Sequence, residues 1–238
     1  MKSSPGSNSP QPDRDAGEHL GAETRNAIEY ARETADYESF PGLLEGLRYF
    51  QSHVPLAAPI LDAGCGGGRD AVELARTGHF VVALDLDVAL LRSWPDTSVA
   101  TAVRVAGDLT RPPIRPQSLA GIWACASLVH QPLAALHQIL EVLVDLLIPG
   151  GLLAATMRDS PPVEGSLWGR IYGPREPTLV PPEDFAILLS GAGLAEVSTR
   201  PSGSGWYAAW GIKAFLDDMS RGLQDSSTIS GLDKSRSM

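Results

Sequence analysis

The segment Ile60–Asp70, with the sequence ILDAGCGGGRD, constrains the fold more than any other part of the chain. It begins as a short, mostly apolar strand, and four glycines within the next five residues make a turn that leads into a helix. Glycines adopt backbone angles that a side chain would forbid, and they let a ligand approach the main chain closely. A strand, a glycine-rich turn and a helix in this order favour a ligand site over a plain tight turn.

Short apolar runs alternate with helical patterns along residues 59–157. Because the apolar runs have no polar face, they are typical of buried parallel strands. The helices Arg69–Thr77 and Leu133–Ile148 end at glycine or proline. This alternation predicts a doubly wound, Rossmann-like α/β domain with a mostly parallel sheet. The predicted strands of this part are Pro59–Ala63, Phe80–Asp85, Val103–Ala106, Gly121–Ala126 and Leu152–Met157.

The two ends of the domain differ from its centre. After a helix near Glu183–Leu189, the runs Leu194–Arg200 and Trp206–Phe215 are joined by a glycine-containing turn. Such a pair predicts an antiparallel hairpin at the edge of the sheet, which brings the sheet to seven strands. Before the first strand, helical segments near Ala22–Glu38 and Gly42–His53 predict an N-terminal helical cap.

The chain has 238 residues, of which 43% are hydrophobic and 20% charged, as in an ordinary globular protein. Residues 1–18 and 218–238 are rich in Ser, Pro, Gly and Asp, so we expect flexible tails around one domain at residues 19–217. The net charge of −9 disfavours nucleic acid as a partner. The sequence leaves the oligomeric state open.

The cysteines and the apolar segments bear on the compartment. Cys65 and Cys125 lack the spacing of a metal site or a redox pair, so we expect free thiols and no metal. The most apolar run, Ile139–Ile148, is too short for a membrane span, and the N-terminus lacks the apolar core of a signal peptide. A cytoplasmic protein without a membrane partner is therefore expected.

Three acids stand at the ends of three successive predicted strands, where they face one crevice. Asp62 precedes the first glycine of the turn, where it would attract an ammonium group and repel a pyrophosphate. Asp85 is placed to accept hydrogen bonds from ribose hydroxyls, and Asp108 could accept from an adenine amino group. The next acid, Asp87, suits the N-cap of a helix over Val88–Trp94.

With these features the chain resembles the class I methyltransferases that use S-adenosylmethionine. The resemblance extends from about Asn26 to Phe215, and the hairpin near the end resembles the antiparallel last strand of that family. The nearest likeness is to small bacterial methyltransferases of the tellurite-resistance and small-molecule type. The resemblance is carried by Leu61–Gly68, Ala83–Asp85, Gly107–Leu109, Gly121–His130 and Ile148–Gly151.

The resemblance implies methyl transfer from S-adenosylmethionine to a small-molecule O, N, S or metalloid acceptor. Asp62 and the turn Gly64–Gly66 would hold the methionine end of the cofactor, Asp85 the ribose, and Asp108 with Leu109 the adenine. Ala126 and Ser127 would lie along the methionine, and Tyr30 would cover the cofactor. The implied cofactor-binding residues are Tyr30, Asp62, Ala63, Gly64, Cys65, Gly66, Asp85, Leu86, Asp108, Leu109, Ala126 and Ser127.

His130 is the candidate catalytic base. It follows the fourth strand, and an imidazole titrates near neutral pH. The same position is equally compatible with a histidine that only orders its loop. For substrate binding we expect Arg170 and Tyr172, within the lid-like loop Arg158–Val180. The fourth strand lacks the Asn/Asp-Pro-Pro-Tyr signature of nucleic-acid amino methyltransferases, which again favours a small molecule.

Two other functions stay open. Gly66, Gly68 and Ala71 formally satisfy the pattern G-x-G-x-x-A, so an NAD-dependent oxidoreductase is one alternative. The acid at position 62 and the antiparallel hairpin count against it. The second alternative is a catalytically silent cofactor-binding module, in which Ser127, His130 and the loop Arg158–Val180 would be freely replaceable.

Overall fold

The computed structural model describes residues 26–56, 58–94, 101–163 and 176–215, and the predicted tails lie outside these ranges. Seven strands form one sheet, which confirms the predicted number. In chain order they are β1 (Ile60–Ala63), β2 (Val81–Asp85), β3 (Ala102–Ala106), β4 (Leu119–Ala124), β5 (Leu147–Arg158), β6 (Leu194–Gly203) and β7 (Trp206–Lys213).

The strands lie in the order β3-β2-β1-β4-β5-β7-β6. Strands β1 to β5 pair in parallel, while β7 is antiparallel to both β5 and β6. The sheet is therefore mostly parallel with an antiparallel last strand, as the sequence predicts. The order reverses beside β1, and in open α/β sheets this point is where ligands bind.

Helices cover both faces of the sheet. They are α1 (residues 26–33), α2 (Leu43–His53), α3 (Arg69–Arg76), α4 (Val88–Ser93), α5 (Leu133–Leu146) and α6 (Pro182–Gly191). Helices α2, α3 and α4 bury Phe50, Leu74 and Leu91 in the core on one face. Helices α5 and α6 bury Leu140 and Phe185 in the core on the other face. Two apolar layers around one sheet are the doubly wound arrangement.

Local sequence explains where the helices near the switch point begin. The side chain of Asp87 accepts hydrogen bonds from the backbone N–H groups of Ala89 (2.7 Å) and Leu90 (3.3 Å), which confirms the predicted N-cap of α4. Helix α3 starts directly after the glycine turn, so its first residues reach the ligand-facing edge of the sheet. None of the helices within the described ranges is long and apolar enough to cross a membrane.

Two predictions about the strands are wrong. Strand β5 begins at Leu147 rather than Leu152, so the chain passes from α5 into the sheet without the predicted loop. Residues before a proline favour the extended region, and Ile148 precedes Pro149. Strand β3 is not buried on both faces, because it is an edge strand and Val103 remains 39% exposed.

Candidate active site

A cavity of about 620 Å³ lies beside the switch point, between the carboxyl ends of the strands and the N-terminal segment. This volume is within the range of small-molecule sites. The N-terminal segment covers it from residues 30–43, and the β6–β7 turn closes it at residues 202–206. Of the predicted cofactor-binding residues, those that line the cavity are Tyr30, Asp62, Gly64, Cys65, Gly66 and Ala126.

The pairing register explains which side chains form the cavity floor. Asp62 pairs with Trp123, which pairs with Ala154, so the three lie level on adjacent parallel strands. Side chains alternate between the two faces of a strand, and every second residue beyond this level therefore points into the same space. The floor beyond Asp62 is made by Cys125, Thr156, Arg158, Trp206 and Ala208.

The glycine turn is shaped by close packing at two positions. Gly64 has a φ of +78°, and a Cβ there would overlap the side chain of Ser127. Gly66 has a φ of +51°, and a Cβ there would lie 3.2 Å from the ring of Tyr30. Side chains are strained at both positions, so the turn presents bare backbone to the cavity.

Side chains hold both backbone polar groups of Gly66. Its N–H donates to Oδ2 of Asp85 at 2.8 Å, and its carbonyl accepts from Nε1 of Trp94 at 3.1 Å. Oδ1 of Asp85 accepts from the N–H of Asp87 at 2.9 Å. Since each carboxylate oxygen has two lone pairs, Asp85 retains capacity for ribose hydroxyls. Burial raises the pKa of Asp85 above its ordinary value. Sequence reasoning did not find the role of Trp94.

Asp62 is the buried acid of the site. Its side chain is 2% exposed, and its Oδ2 atom has no hydrogen-bond partner within the described part of the chain. Burial, and then the charge of Asp70, raise the pKa of Asp62 well above the usual range. A buried carboxylate oxygen without a partner is costly, and a cation would satisfy it. Asp62 therefore fits the ammonium group that the sequence assigns to it.

A buried polar network, missed by sequence reasoning, joins the N-terminal segment to the glycine turn. Arg69 donates from Nε to Oδ1 of Asp70 at 2.7 Å and from Nη1 to the carbonyl of Thr34 at 3.0 Å. Asp70 also accepts from Tyr37 Oη at 2.9 Å and from Trp123 Nε1 at 2.8 Å. These contacts stabilise the ionised carboxylate of Asp70. Burial alone would raise the pKa of Asp70, but the charge of Arg69 and the hydrogen bonds together lower it below its ordinary value.

The end of β4 is held by a strained turn. Ala126 has a φ of +50°, which is rare for a residue with a side chain, and its N–H donates to Oγ1 of Thr156 at 2.8 Å. Ser127 is buried against Gly64, and its Oγ has no partner among the described residues. Strained backbone of this kind is concentrated at ligand sites.

Four other predicted cofactor-binding residues do not line the cavity. Ala63 is buried in the core on the opposite face of the sheet, and Leu109 is buried in the same core. Leu86 is 71% exposed beside Asp85. Asp108 is exposed and accepts from the N–H of Thr110 at 2.8 Å.

His130, the predicted catalytic base, is exposed at the end of a single 3₁₀ turn, Leu128–His130. This turn follows β4 and lies close in sequence to Ser127. His130 is not among the residues that line the cavity, so its role as a base stays a prediction. The predicted substrate-binding residues Arg170 and Tyr172 lie outside the described residues.

Comparison with known proteins identifies this arrangement. Residues 60–151 match the family model described as a methyltransferase domain. Human N-acetylserotonin methyltransferase in complex with SAM superposes with a TM-score of 0.61 and 16% identity, covering 86% of this chain and 61% of that chain. The chain has the class I methyltransferase fold.

The match to a second methyltransferase structure covers a larger share of that protein's chain. The Burkholderia thailandensis 1,6-didemethyltoxoflavin-N1-methyltransferase, with bound 1,6-didemethyltoxoflavin and S-adenosylhomocysteine, gives a TM-score of 0.58 and 20% identity. The match covers 89% of this chain and 94% of that chain. The methyltransferase fold therefore extends well beyond the segment that matches the family model.

Among curated proteins, an uncharacterized methyltransferase of Mycobacterium bovis is 30% identical over 117 residues. Uncharacterized methyltransferases from two Mycobacterium tuberculosis strains match equally. The aligned residues make up 48% of this chain and 58% of the relative. The chain thus spans little more than half the length of these curated methyltransferases.

Proposed function

We propose that this protein transfers the methyl group of S-adenosylmethionine to a small-molecule acceptor. The observation that carries the proposal is the buried, unpartnered Oδ2 of Asp62 beside the glycine turn. A carboxylate in this position suits the ammonium group of the methionine moiety. It opposes the pyrophosphate of NAD, and the antiparallel β7 also departs from a standard dinucleotide domain.

The residues present fit the cofactor. Asp62 and the backbone of the turn Gly64–Gly66 would bind the methionine end, with Ala126 and Ser127 along its side. Asp85 would accept hydrogen bonds from the ribose, and the exposed Leu86 with Asp108 would border the adenine. When bound, the sulfonium supplies an activated methyl group. Catalysis then depends mainly on holding the acceptor in line with that methyl group.

A small acceptor is supported by the cavity and by the charge of the chain. The cavity is roofed by the N-terminal segment, which leaves room for a compact molecule rather than a polymer. A net charge of −9 opposes a nucleic-acid acceptor. The reacting atom would be O, N, S or a metalloid, in keeping with the resemblance to small bacterial methyltransferases of the tellurite-resistance type. Cys65 and Cys125 form no disulfide, which suits a reducing, cytoplasmic compartment.

His130 would act as a general base for acceptors that carry a proton at neutral pH. Its position in the sequence, four residues after the strained Ala126, supports this role. Replacing His130 with alanine should slow turnover while leaving cofactor binding near normal, and high pH should restore the rate. Normal turnover in this variant would assign His130 a purely structural role in its loop.

The cofactor proposal is tested by isothermal titration calorimetry of the protein with S-adenosylhomocysteine, with NAD titrated in parallel. Saturable binding of S-adenosylhomocysteine alone is the expected result. Binding of NAD alone would overturn the proposal and make the glycine turn a pyrophosphate site. A screen of acceptors with a labelled methyl donor then separates an enzyme from a catalytically silent cofactor-binding module.

A further inference from the structure

We propose that Trp94 is a positioning residue for the ribose of the cofactor, and that it acts through Gly66 and Asp85. This inference rests on the proposed function, because it concerns how the ribose-binding acid of the same site is held. Trp94 directly follows α4 and is not among the described residues that line the cavity. Its influence on a ligand there therefore passes through the residues that it contacts.

Two side chains fix the conformation of Gly66. Nε1 of Trp94 donates to the carbonyl of Gly66 at 3.1 Å, and Oδ2 of Asp85 accepts from its N–H at 2.8 Å. Gly66 has a φ of +51°, and glycine has a wider choice of backbone angles than any other residue. The bond from Trp94 limits that choice and keeps the N–H of Gly66 directed at Asp85.

The carboxylate of Asp85 is oriented by two backbone N–H groups. Gly66 donates to Oδ2, and Asp87 donates to Oδ1 at 2.9 Å. Bonds to both oxygens fix the plane of the carboxylate and leave further lone pairs for the ribose hydroxyls. Of the two donors, Gly66 is the one that Trp94 holds. Loss of the indole donor should therefore weaken ribose recognition without abolishing it.

The indole ring of Trp94 is held in place by its own neighbours. It packs so closely on the glycine turn that a Cβ at Gly68 would overlap the ring. On β3, the guanidinium carbon of Arg104 lies 5.9 Å from the ring centre, and its Nη1 donates to the carbonyl of Leu91 at 2.8 Å. Trp94 thus combines packing with a hydrogen-bond donor, and substitutions can separate the two.

The test is calorimetry on the full chain with S-adenosylhomocysteine and with its 2′,3′-dideoxy analogue, which lacks the ribose hydroxyls. We expect the wild type to bind S-adenosylhomocysteine about tenfold or more tightly than the analogue, the scale of hydrogen bonds to a charged group. Trp94→Phe removes the N–H donor and should lower this ratio by about threefold or more, the scale of one neutral hydrogen bond. A tryptophan that only filled space would change the stability and leave the ratio as it is.

A second variant removes the donor without removing the bicyclic ring. Replacement of Trp94 by β-(3-benzothienyl)alanine puts sulfur in the place of the indole N–H, and it should lower the ratio as Trp94→Phe does. Trp210→Phe is the matched control, because Trp210 lies on β7, does not line the described cavity, and packs against Tyr49 with 5.2 Å between the ring centres. This control should leave the ratio unchanged.

A double variant tests the route through Asp85. If Trp94 acts through this acid, Trp94→Phe should cost less than about twofold in S-adenosylhomocysteine affinity once Asp85→Ala is present, because coupled residues do not give additive losses. Additive losses would overturn the inference, as would an unchanged ratio in the folded Trp94 variants. A wild type that binds both ligands equally would overturn it too, while leaving the proposed function standing. If S-adenosylhomocysteine fails to bind the wild type, the proposed function fails instead.

Discussion

Arg69 and Asp70 are neighbours in the sequence and form a buried ion pair, with 2.7 Å between Nε and Oδ1. The Arg69 guanidinium also lies over the rings of Tyr37 and Phe40, at 4.8 and 4.9 Å from their centres. The first turn of α3 thus holds the segment that roofs the cavity. Because the glycine turn ends just before Arg69, the proposed cofactor site and the roof of the cavity share one anchoring point.

We expect Arg69→Met to lower the free energy of unfolding by about 3–5 kcal/mol, because it leaves the charge of Asp70 buried without its counter-ion. Urea denaturation measures the change. Arg76→Met is the matched control, since Arg76 belongs to the same helix and forms an exposed pair with Glu73. Exposed pairs contribute about 0–1 kcal/mol. Equal losses in the two variants would show that the buried pair does not anchor the roof.

Asp62→Asn should stabilise the protein while weakening cofactor binding. The pKa of Asp62 is raised in the folded state, so its ionisation destabilises the fold as the pH rises through that pKa. At pH 9 we expect the variant to be more stable by about 1–3 kcal/mol, the cost of burying an unsatisfied polar group. The gain should vanish in acid, where both side chains are neutral. Denaturant unfolding across pH measures it, and a gain independent of pH would contradict the assignment.

The affinity for S-adenosylhomocysteine should fall as the pH falls through the raised pKa of Asp62. Only the ionised carboxylate attracts the ammonium group, so binding favours loss of the Asp62 proton. Calorimetry in two buffers of different ionisation enthalpy should therefore detect proton release below that pKa. Asp62→Asn supplies the control, because its proton release should be absent. Equal proton release from both proteins would assign the titration to another group.

Much of the fold was predictable because it follows from local pattern. The glycine turn, the parallel strands β1, β2 and β4, and the N-cap at Asp87 each depend on residues that are close in sequence. Strand β3 was misjudged because its mostly apolar composition, in which Arg104 is the one charged residue, does not reveal that it stands at the edge of the sheet. Pro149 lies two residues inside β5, whereas the sequence suggests this proline as the end of a helix.

The place of Asp62 in the cavity was predictable from its position at a strand end, whereas Asp70, the roof and the far end of the cavity were not. Tyr37 and Asp70 are 33 residues apart and meet only when the N-terminal segment folds over the sheet. Arg158 becomes part of the cavity floor because β7 inserts beside β5 and brings Trp206 to it. Such contacts depend on register, which composition and spacing do not encode.

Asp85→Ala should weaken binding of S-adenosylhomocysteine by about 2 kcal/mol, the scale of hydrogen bonds to a charged group. The loss has two sources, the ribose contacts and the N–H of Gly66, which would lose its acceptor. Asp87→Ala is the control: it removes the N-cap of α4 and should lower stability by about 1 kcal/mol while leaving affinity unchanged. Calorimetry and thermal unfolding separate the two effects. Unchanged affinity in Asp85→Ala would place this acid outside the site.

Gly64→Ala should be much more damaging than Gly78→Ala, although both glycines have a positive φ, of +78° and +93°. An added methyl group at Gly78 meets no atom within 4 Å, so the change should cost only the backbone strain of about 1–2 kcal/mol. At Gly64 the methyl group would overlap Ser127, and the turn or the end of β4 must move. We therefore expect a larger loss of stability and a loss of S-adenosylhomocysteine binding, measured by denaturant unfolding and calorimetry.

The double variant Gly64→Ala with Ser127→Gly should recover part of both losses, because it removes the overlapping side chain. If Gly64→Ala behaved like Gly78→Ala, the close contact between the glycine turn and the end of β4 would not exist in solution.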